Sequence, residues 1–306
     1  MRRILLWMAA NVWLRERLPR LWFTRRAVRR FLPGEDAISA LNAGEGFKAQ
    51  GITSLYTRLG EHLVQIGEAA AVADHYLGVL EAIHERGLPG EISVKPSQLG
   101  LDFDAERTFE HAGRLASRAG ELGGFLWIDM ESSDWTESTL VLYERLKATH
   151  PNVGLCLQAM LHRTAADLQR LLPLEPAIRL VKGAYAEPSA SAYQGHREVA
   201  SNFAALAIEM LEAVRRGQRV RIALGTHDVG LIEQIEGHAV AMGLPRTVFE
   251  IQMLYGVRVS EQRRMAKAGY SVRQLISYGE AWYAWYMRRL AERPANILFA
   301  LRQMVG

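Results

Sequence analysis

Residues 153–182, VGLCLQAMLHRTAADLQRLLPLEPAIRLVK, decide the fold. Two short apolar runs, Val153–Gln158 and Ile178–Lys182, flank a longer amphipathic stretch, the pattern of strand, helix and next strand. The same texture repeats outward in both directions. Runs at Ile52–Tyr56, Ile92–Lys95, Phe125–Met130, Val220–Leu224, Val248–Gln252 and Ser271–Ile276 bring the total to eight. Helix signals fill the gaps: apolar residues every three or four through Glu61–Arg86, Asp102 or Asp104 as a cap before Ala105–Arg118, and Ser133 or Asp134 before Trp135–Thr149. Eight strands, each followed by a helix over about 250 residues, predict an α/β chain folded as a closed (β/α)8 TIM-type barrel.

With 306 residues, 49% apolar and 23% charged, the chain can bury a large core, which excludes disorder, collagen and a coiled-coil rod. One cysteine, Cys156, makes no internal disulfide, excludes zinc ribbons and CxxC sites, and points to a reducing, cytoplasmic setting. No run of about 18 apolar residues predicts a membrane span. Charge is uneven. Residues 1–30 hold nine arginines and one glutamate, yet the whole chain is only +4, so the remaining 276 residues carry −4.

The basic segment, MRRILLWMAANVWLRERLPRLWFTRRAVRRF, spaces Leu5, Met8, Val12 and Trp13 near helical period, and Pro19 is expected to end that helix. The chain therefore divides into a helical N-terminal arm, 1–50, and a barrel, 51–306. The arm is expected to cap the barrel or an oligomer partner. Its functional alternative is peripheral contact with the inner face of a membrane through residues 1–32, with tryptophans among headgroups. Nucleic acid is not expected.

In such barrels, reactive side chains gather at the C-terminal ends of the strands. There the sequence places Lys95 and Ser97, Asp129 and Glu131, Gln158, Arg179 and Lys182 followed by Gly183, Ala184 and Tyr185, then Gly225, Thr226, His227 and Asp228, and finally Glu250 and Gln252. Asp129 and Glu131, two apart, are expected on one side of the pleat. Charges beside Leu180 and Val181 must be paired, desolvated or aimed at a ligand. A structural pair such as Arg179 with Glu250 accounts for one such charge but not for the whole ring.

Spacing leaves the chemistry open. Asp129, Glu131, His227 and Asp228 could hold a divalent metal, although no HxH or HExxH fixes a geometry and no metal is expected. A desolvated Lys182 could form a Schiff base, which with the Asp129/Glu131 cluster defines a flavin-free lyase or hydrolase alternative. There is no GxSxG, and Gly44, Gly46 and Gly51 form no GxGxxG. The final segment crowds Tyr278, Trp282, Tyr283, Trp285, Tyr286, Arg288 and Arg289 onto one helix. Either Glu292 pairs locally with the arginines, or Arg288 and Arg289 lean into the bowl and hold a carboxylate.

These pieces, in this order, resemble proline dehydrogenase, a flavin-dependent barrel found alone or as a domain of proline utilization A. The matching segments are GITSLYTRLGE at 51–61, SVKPSQLG at 93–100, WIDMES at 127–132, VGLCLQAML at 153–161, RLVKGAY at 179–185, THD at 226–228, FEIQMLYG at 249–256 and WYMRRLAERPAN at 285–296. The resemblance implies FAD over the barrel mouth, contacted by Met130, Gln158, Arg179, Lys182, Gly183, Ala184, Thr226, His227, Gln252 and Glu292. It implies that Lys95, Arg288 and Arg289 hold the proline carboxylate, that Tyr185 is a substrate-side aromatic, and that Asp129 organises the site. Arg179 near flavin N5 would stabilise the reduced anion. The implied reaction is hydride transfer from C5 of L-proline, giving Δ1-pyrroline-5-carboxylate, with electrons passed to membrane quinone. Leu275 stands where the family often has a tyrosine that packs on the proline ring. Either the pocket is altered, opening it to 4-hydroxyproline or another cyclic imino acid, or Tyr278 takes that place.

Overall fold

The computed structural model describes residues 7–8, 11–18, 24, 28–60 and 63–292. Eight parallel strands close in sequence order: β1 (Thr53–Arg58), β2 (Gly90–Val94), β3 (Leu126–Ile128), β4 (Val153–Gln158), β5 (Ala177–Val181), β6 (Arg221–Gly225), β7 (Phe249–Leu254) and β8 (Ser271–Tyr278). β8 pairs with β1 and completes the barrel. Each of the eight apolar runs forms one of these strands, with ends displaced by a few residues.

The helices among the described residues are α1 (Val12–Arg17), α2 (Ala37–Lys48), α3 (Glu68–Glu85), α4 (Ala105–Glu121), α5 (Thr136–Lys147), α6 (Thr164–Leu171), α7 (His196–Arg215), α8 (Val229–Ala241), α9 (Val259–Lys267) and α10 (Trp282–Glu292). From α3 onward, one follows each strand. Asp104 caps α4 by accepting from the Glu106 and Arg107 amides, as its residue type favours. α5 differs from expectation. A 3-10 turn, Ser133–Trp135, precedes it, and neither Ser133 nor Asp134 caps it. The Ser133 amide instead donates to Glu187 at 2.8 Å, tying the loop after β3 to the loop after β5. α1 ends at Leu18. Pro19 lies outside the described residues.

Alternation along the strands separates two environments. Outward Ile92, Val94, Ile128, Leu155, Ile178, Leu180, Ile222 and Ile251 are buried against the helices. Removing such side chains from water is the main stabilising term, about 1.5–3 kcal/mol each. The barrel interior is mixed. Leu55, Trp127, Ala177 and Ala223 form a small apolar plug with Phe125 and Leu275 packed on it. Below it lies an ionic lattice. Arg273 holds Glu250 at 2.9 Å and Glu91 at 3.1 Å, Arg221 holds Glu91 at 2.8 Å, and the Trp127 indole donates to Glu91 at 2.6 Å. Two arginines meet two glutamates, so every buried charge has opposite neighbours. Arg179 takes no part in this lattice, so the Arg179–Glu250 pair considered from sequence does not form.

Two helices depart from a simple outer ring. α2 packs against β1 and β8 on the barrel wall. α10 packs elsewhere: Trp282, Tyr283, Trp285, Tyr286 and Leu290 cluster with Val28, Phe31, Leu32, Leu59 and Leu254, with Met8, Leu14 and Leu18 against them. Since Leu59 and Leu254 sit at the C-terminal ends of their strands, α10 lies over the barrel mouth. Among the described residues no helix is long and apolar enough to cross a membrane.

Candidate active site

A cavity of about 440 Å³ opens at the C-terminal ends of the strands, and every strand end contributes to its wall. That is within the usual size of a small-molecule site. Its floor is a knot of charge. Asp129 accepts from Ser93 Oγ at 2.6 Å and from Lys95 Nζ at 2.9 Å, and also pairs with Arg179. Arg179 Nη2 lies 3.1 Å from Ser93 Oγ, and its guanidinium carbon is 5.6 Å from the Trp127 ring. Burial alone would raise the Asp129 carboxyl, but Lys95, Arg179 and the Ser93 hydroxyl outweigh it and hold the group far below the usual carboxylate range. Burial works against the charged Arg179 as well, and Asp129 overcomes it.

Among the buried polar atoms in this wall, Arg179 Nη1 and Gln252 Oε1 lack a protein partner. Native interiors pair such groups, so a donor and an acceptor at a cavity surface call for ligand atoms of opposite kind. Gln252 directs its amide nitrogen to Glu250 at 2.7 Å, which leaves its oxygen for the cavity. Gly183 turns the chain after β5 with φ +102, and a Cβ there would lie 2.5 Å from Met160 Cγ. Only glycine lets this segment approach so closely. Lys182 pairs with Asp228 at 2.7 Å, and the Leu254 amide donates to His227 Nε2 at 3.0 Å.

The structure brings together on one cavity Lys95, Asp129, Met130, Gln158, Arg179, Lys182, Gly183, Ala184, Tyr185, Thr226, His227, Gln252, Leu275, Arg288 and Arg289. α10 aims its two arginines inward. The Arg288 guanidinium is 5.3 Å from the Tyr185 ring and that of Arg289 is 5.9 Å from Trp285. Glu292 ends the helix, and its side chain lies outside the described residues.

Three expectations need correction. Tyr278 does not reach the cavity: its side chain leaves the outer face of β8, and its hydroxyl is 2.8 Å from His75 Nε2. Leu275 is the residue on the cavity wall. Glu131 does not join Asp129, because β3 ends at Ile128 and the pleat rule no longer applies. The Glu131 carboxylate accepts from the Ser97 amide at 2.9 Å and its hydroxyl at 2.6 Å. Lys182 is a third exposed and ion-paired, the opposite of the dry, unpaired setting that a nucleophilic amine needs. Ser93, which joins Asp129 to Arg179, was not singled out from sequence. Its place two residues before Lys95 on β2 was the available signal.

Comparison with known proteins gives three results. The sequence model of the family described as Proline dehydrogenase matches residues 40–301. Proline dehydrogenase 1 of Bacillus subtilis (strain 168) is 33% identical over 303 residues, covering 99% of this chain and 98% of the relative. Proline dehydrogenase of Deinococcus radiodurans is 34% identical over 281 residues, 90% of this chain and 89% of its own. Among solved structures, proline utilization A from Bdellovibrio bacteriovorus inactivated by N-propargylglycine superposes over 88% of this chain with a TM-score of 0.80 at 22% identity. The present chain spans 32% of that larger protein, and the likeness speaks to the fold.

Proposed function

The chain belongs to the proline dehydrogenase family of oxidoreductases, and on that premise we propose that it binds FAD in the barrel mouth and oxidises L-proline to Δ1-pyrroline-5-carboxylate. The observation that carries this reading is the knot of Lys95, Asp129 and Arg179 beneath a cavity with an unpartnered buried donor and acceptor. A flavin fits that wall, since its planar uracil edge offers both acceptors and a donor. FAD, when bound, supplies two-electron, hydride-accepting chemistry.

The chain's own groups divide between holding and orienting. Arg179 and Gln252 present a donor and an acceptor from β5 and β7, and Gly183 lets the turn after β5 pack against Met160 where both line the cofactor side of the cavity. Met130, Gln158, Lys182, Ala184, Thr226 and His227 complete the cofactor side of the wall. On the other side, Lys95, Arg288 and Arg289 bind the substrate carboxylate, and Tyr185 closes over the ring. A carboxylate fixed by cations orients C5 toward the oxidant. The same cations disfavour the substrate ammonium and so promote the neutral amine that the reaction requires. Asp129 touches Lys95 and Arg179 and sets the position of both.

The electron acceptor on this reading is a membrane quinone. The exposure of Trp7 and Trp13, at 61% and 57%, and the Arg17 guanidinium 4.6 Å from the Trp13 ring, support contact between the arm and a lipid surface. The test of the reaction is the fate of label in L-proline deuterated twice at C5. Oxidation at the C5–N bond leaves one deuterium in the product, whereas oxidation at C2 leaves both and contradicts the reading.

A further inference from the structure

Glu131 stands just past the end of β3 without a part in the chemistry above. The residue is buried, and its carboxylate accepts from the Ser97 amide at 2.9 Å and from the Ser97 hydroxyl at 2.6 Å. Ser97 is buried as well and belongs to the 3-10 turn Pro96–Leu99, which opens directly after Lys95. Pro96 has no amide hydrogen and keeps Lys95 in extended backbone, at φ −95 and ψ 133. The Ser97 amide is therefore the first donor after Lys95 that can anchor the turn, and Glu131 takes it. Gln98 secures the turn further on, donating to the Arg58 carbonyl at 3.0 Å.

The same residue reaches a third strand end. The Glu131 backbone carbonyl accepts from Gln158 Nε2 at 2.7 Å, and Gln158 lines the cavity together with Met130. Two carboxylates two residues apart thus grip Lys95 at different points. Asp129 holds its ammonium at 2.9 Å, and Glu131 holds the backbone of the turn that follows it. A neutral acceptor would be enough to close such a turn. A buried carboxylate is costly unless its bonds are short and charge-assisted, and such bonds fix their partners more firmly. On the reading that Lys95 binds the substrate carboxylate, on which this inference rests, any shift of the turn moves that cation relative to Met130 and Gln158 on the cofactor side.

We propose that Glu131 is a positioning residue. Through Ser97 it fixes where Lys95 enters the cavity, and through its own carbonyl it ties that place to the cofactor wall at Gln158. Glu131 does not itself line the cavity, so its effect on the reaction passes through Lys95.

The test is a double-substitution cycle on the FAD-loaded enzyme, with Glu131→Gln made in the wild type and in Lys95→Met. Two quantities are read: kcat/KM for L-proline, and Kd for cyclopentanecarboxylate, an unreactive ring carboxylate. Glu131→Gln keeps the backbone carbonyl that meets Gln158, so FAD content is expected to hold. In the wild type it is expected to lower kcat/KM and raise Kd, each about tenfold, the lower end for a hydrogen bond to a charged group. In Lys95→Met it is expected to change either quantity by less than about twofold, within the scatter of such cycles. Ser97→Ala removes the hydroxyl's bond and leaves the amide's; it is expected to show the same pattern at smaller size and carries the test if Glu131→Gln does not fold. An equal loss in both backgrounds makes Glu131 a general support of the fold and overturns the proposal, as does no loss in the wild type. A wild-type flavin that L-proline does not reduce overturns the reaction itself, while the Kd cycle still decides whether Glu131 acts through Lys95.

Discussion

The Asp129 carboxylate lies 2.9 Å from Lys95 Nζ while it also pairs with Arg179. One anion at the end of β3 therefore positions two cations, from the end of β2 and from β5, which on the proposed reading serve different tasks, one toward the substrate carboxylate and one toward the cofactor.

Asp129→Asn removes the charge and keeps the shape. Lys95 and Arg179 then face each other without a counterion, and losing one member of a buried pair costs about 3–5 kcal/mol. The expected outcome is a lower Tm at neutral pH together with weaker FAD retention. The folded-state carboxyl is held below its ordinary value, so its stabilisation is present above the ordinary aspartate range and is lost as pH falls through the depressed one. The Tm gap between the variant and the wild type should thus narrow in acid. An equal gap at all pH values contradicts this role.

Arg289→Ala and Arg288→Ala are expected to raise KM for L-proline about 10- to 100-fold, the range of a lost hydrogen bond to a charged group. FAD content should hold near that of the wild type. An unchanged KM in both variants rules out carboxylate binding by α10.

Gly183→Ala places a methyl into Met160 at a backbone angle that side chains avoid. The left-handed conformation alone costs about 1–2 kcal/mol for an ordinary residue. The variant should purify with less FAD per chain, read from the ratio of visible to ultraviolet absorbance. Full occupancy means that the close approach at Gly183 has no bearing on the cofactor.

Glu250→Gln tests the lower lattice. Burial would raise the Glu250 carboxyl, but Arg273 and Arg221 prevail and hold it below its usual value. Its contribution is therefore present above the ordinary glutamate range and lost in stronger acid. The variant should melt earlier at neutral pH and converge on the wild type as pH falls. Thermal scans across pH decide the matter.

Much of this architecture was legible in local pattern. Val153–Gln158 is read to the residue, because an apolar run bounded by Asn152 and a helix signal has few other solutions. Arg179 and Lys182 stood out because charge inside an apolar strand requires a partner or a ligand. What escaped depends on geometry that a single segment does not carry. Periodicity in Trp282–Glu292 is the same whether a helix lies on the barrel wall or over its mouth, and only packing against Val28, Phe31 and Leu59 distinguishes them. Tyr278 and Leu275 differ by three positions and thus by one face, so a small error in register exchanges wall for exterior. Glu131 escaped because β3 stops before it, and the partner of Arg179 because barrel stagger decides which strand ends meet.

The most direct measurement is the visible spectrum of the purified protein before and after anaerobic addition of L-proline. A flavin spectrum that bleaches on addition is the expected result and joins cofactor, substrate and reaction in one observation. A colourless protein that added FAD does not restore contradicts the account.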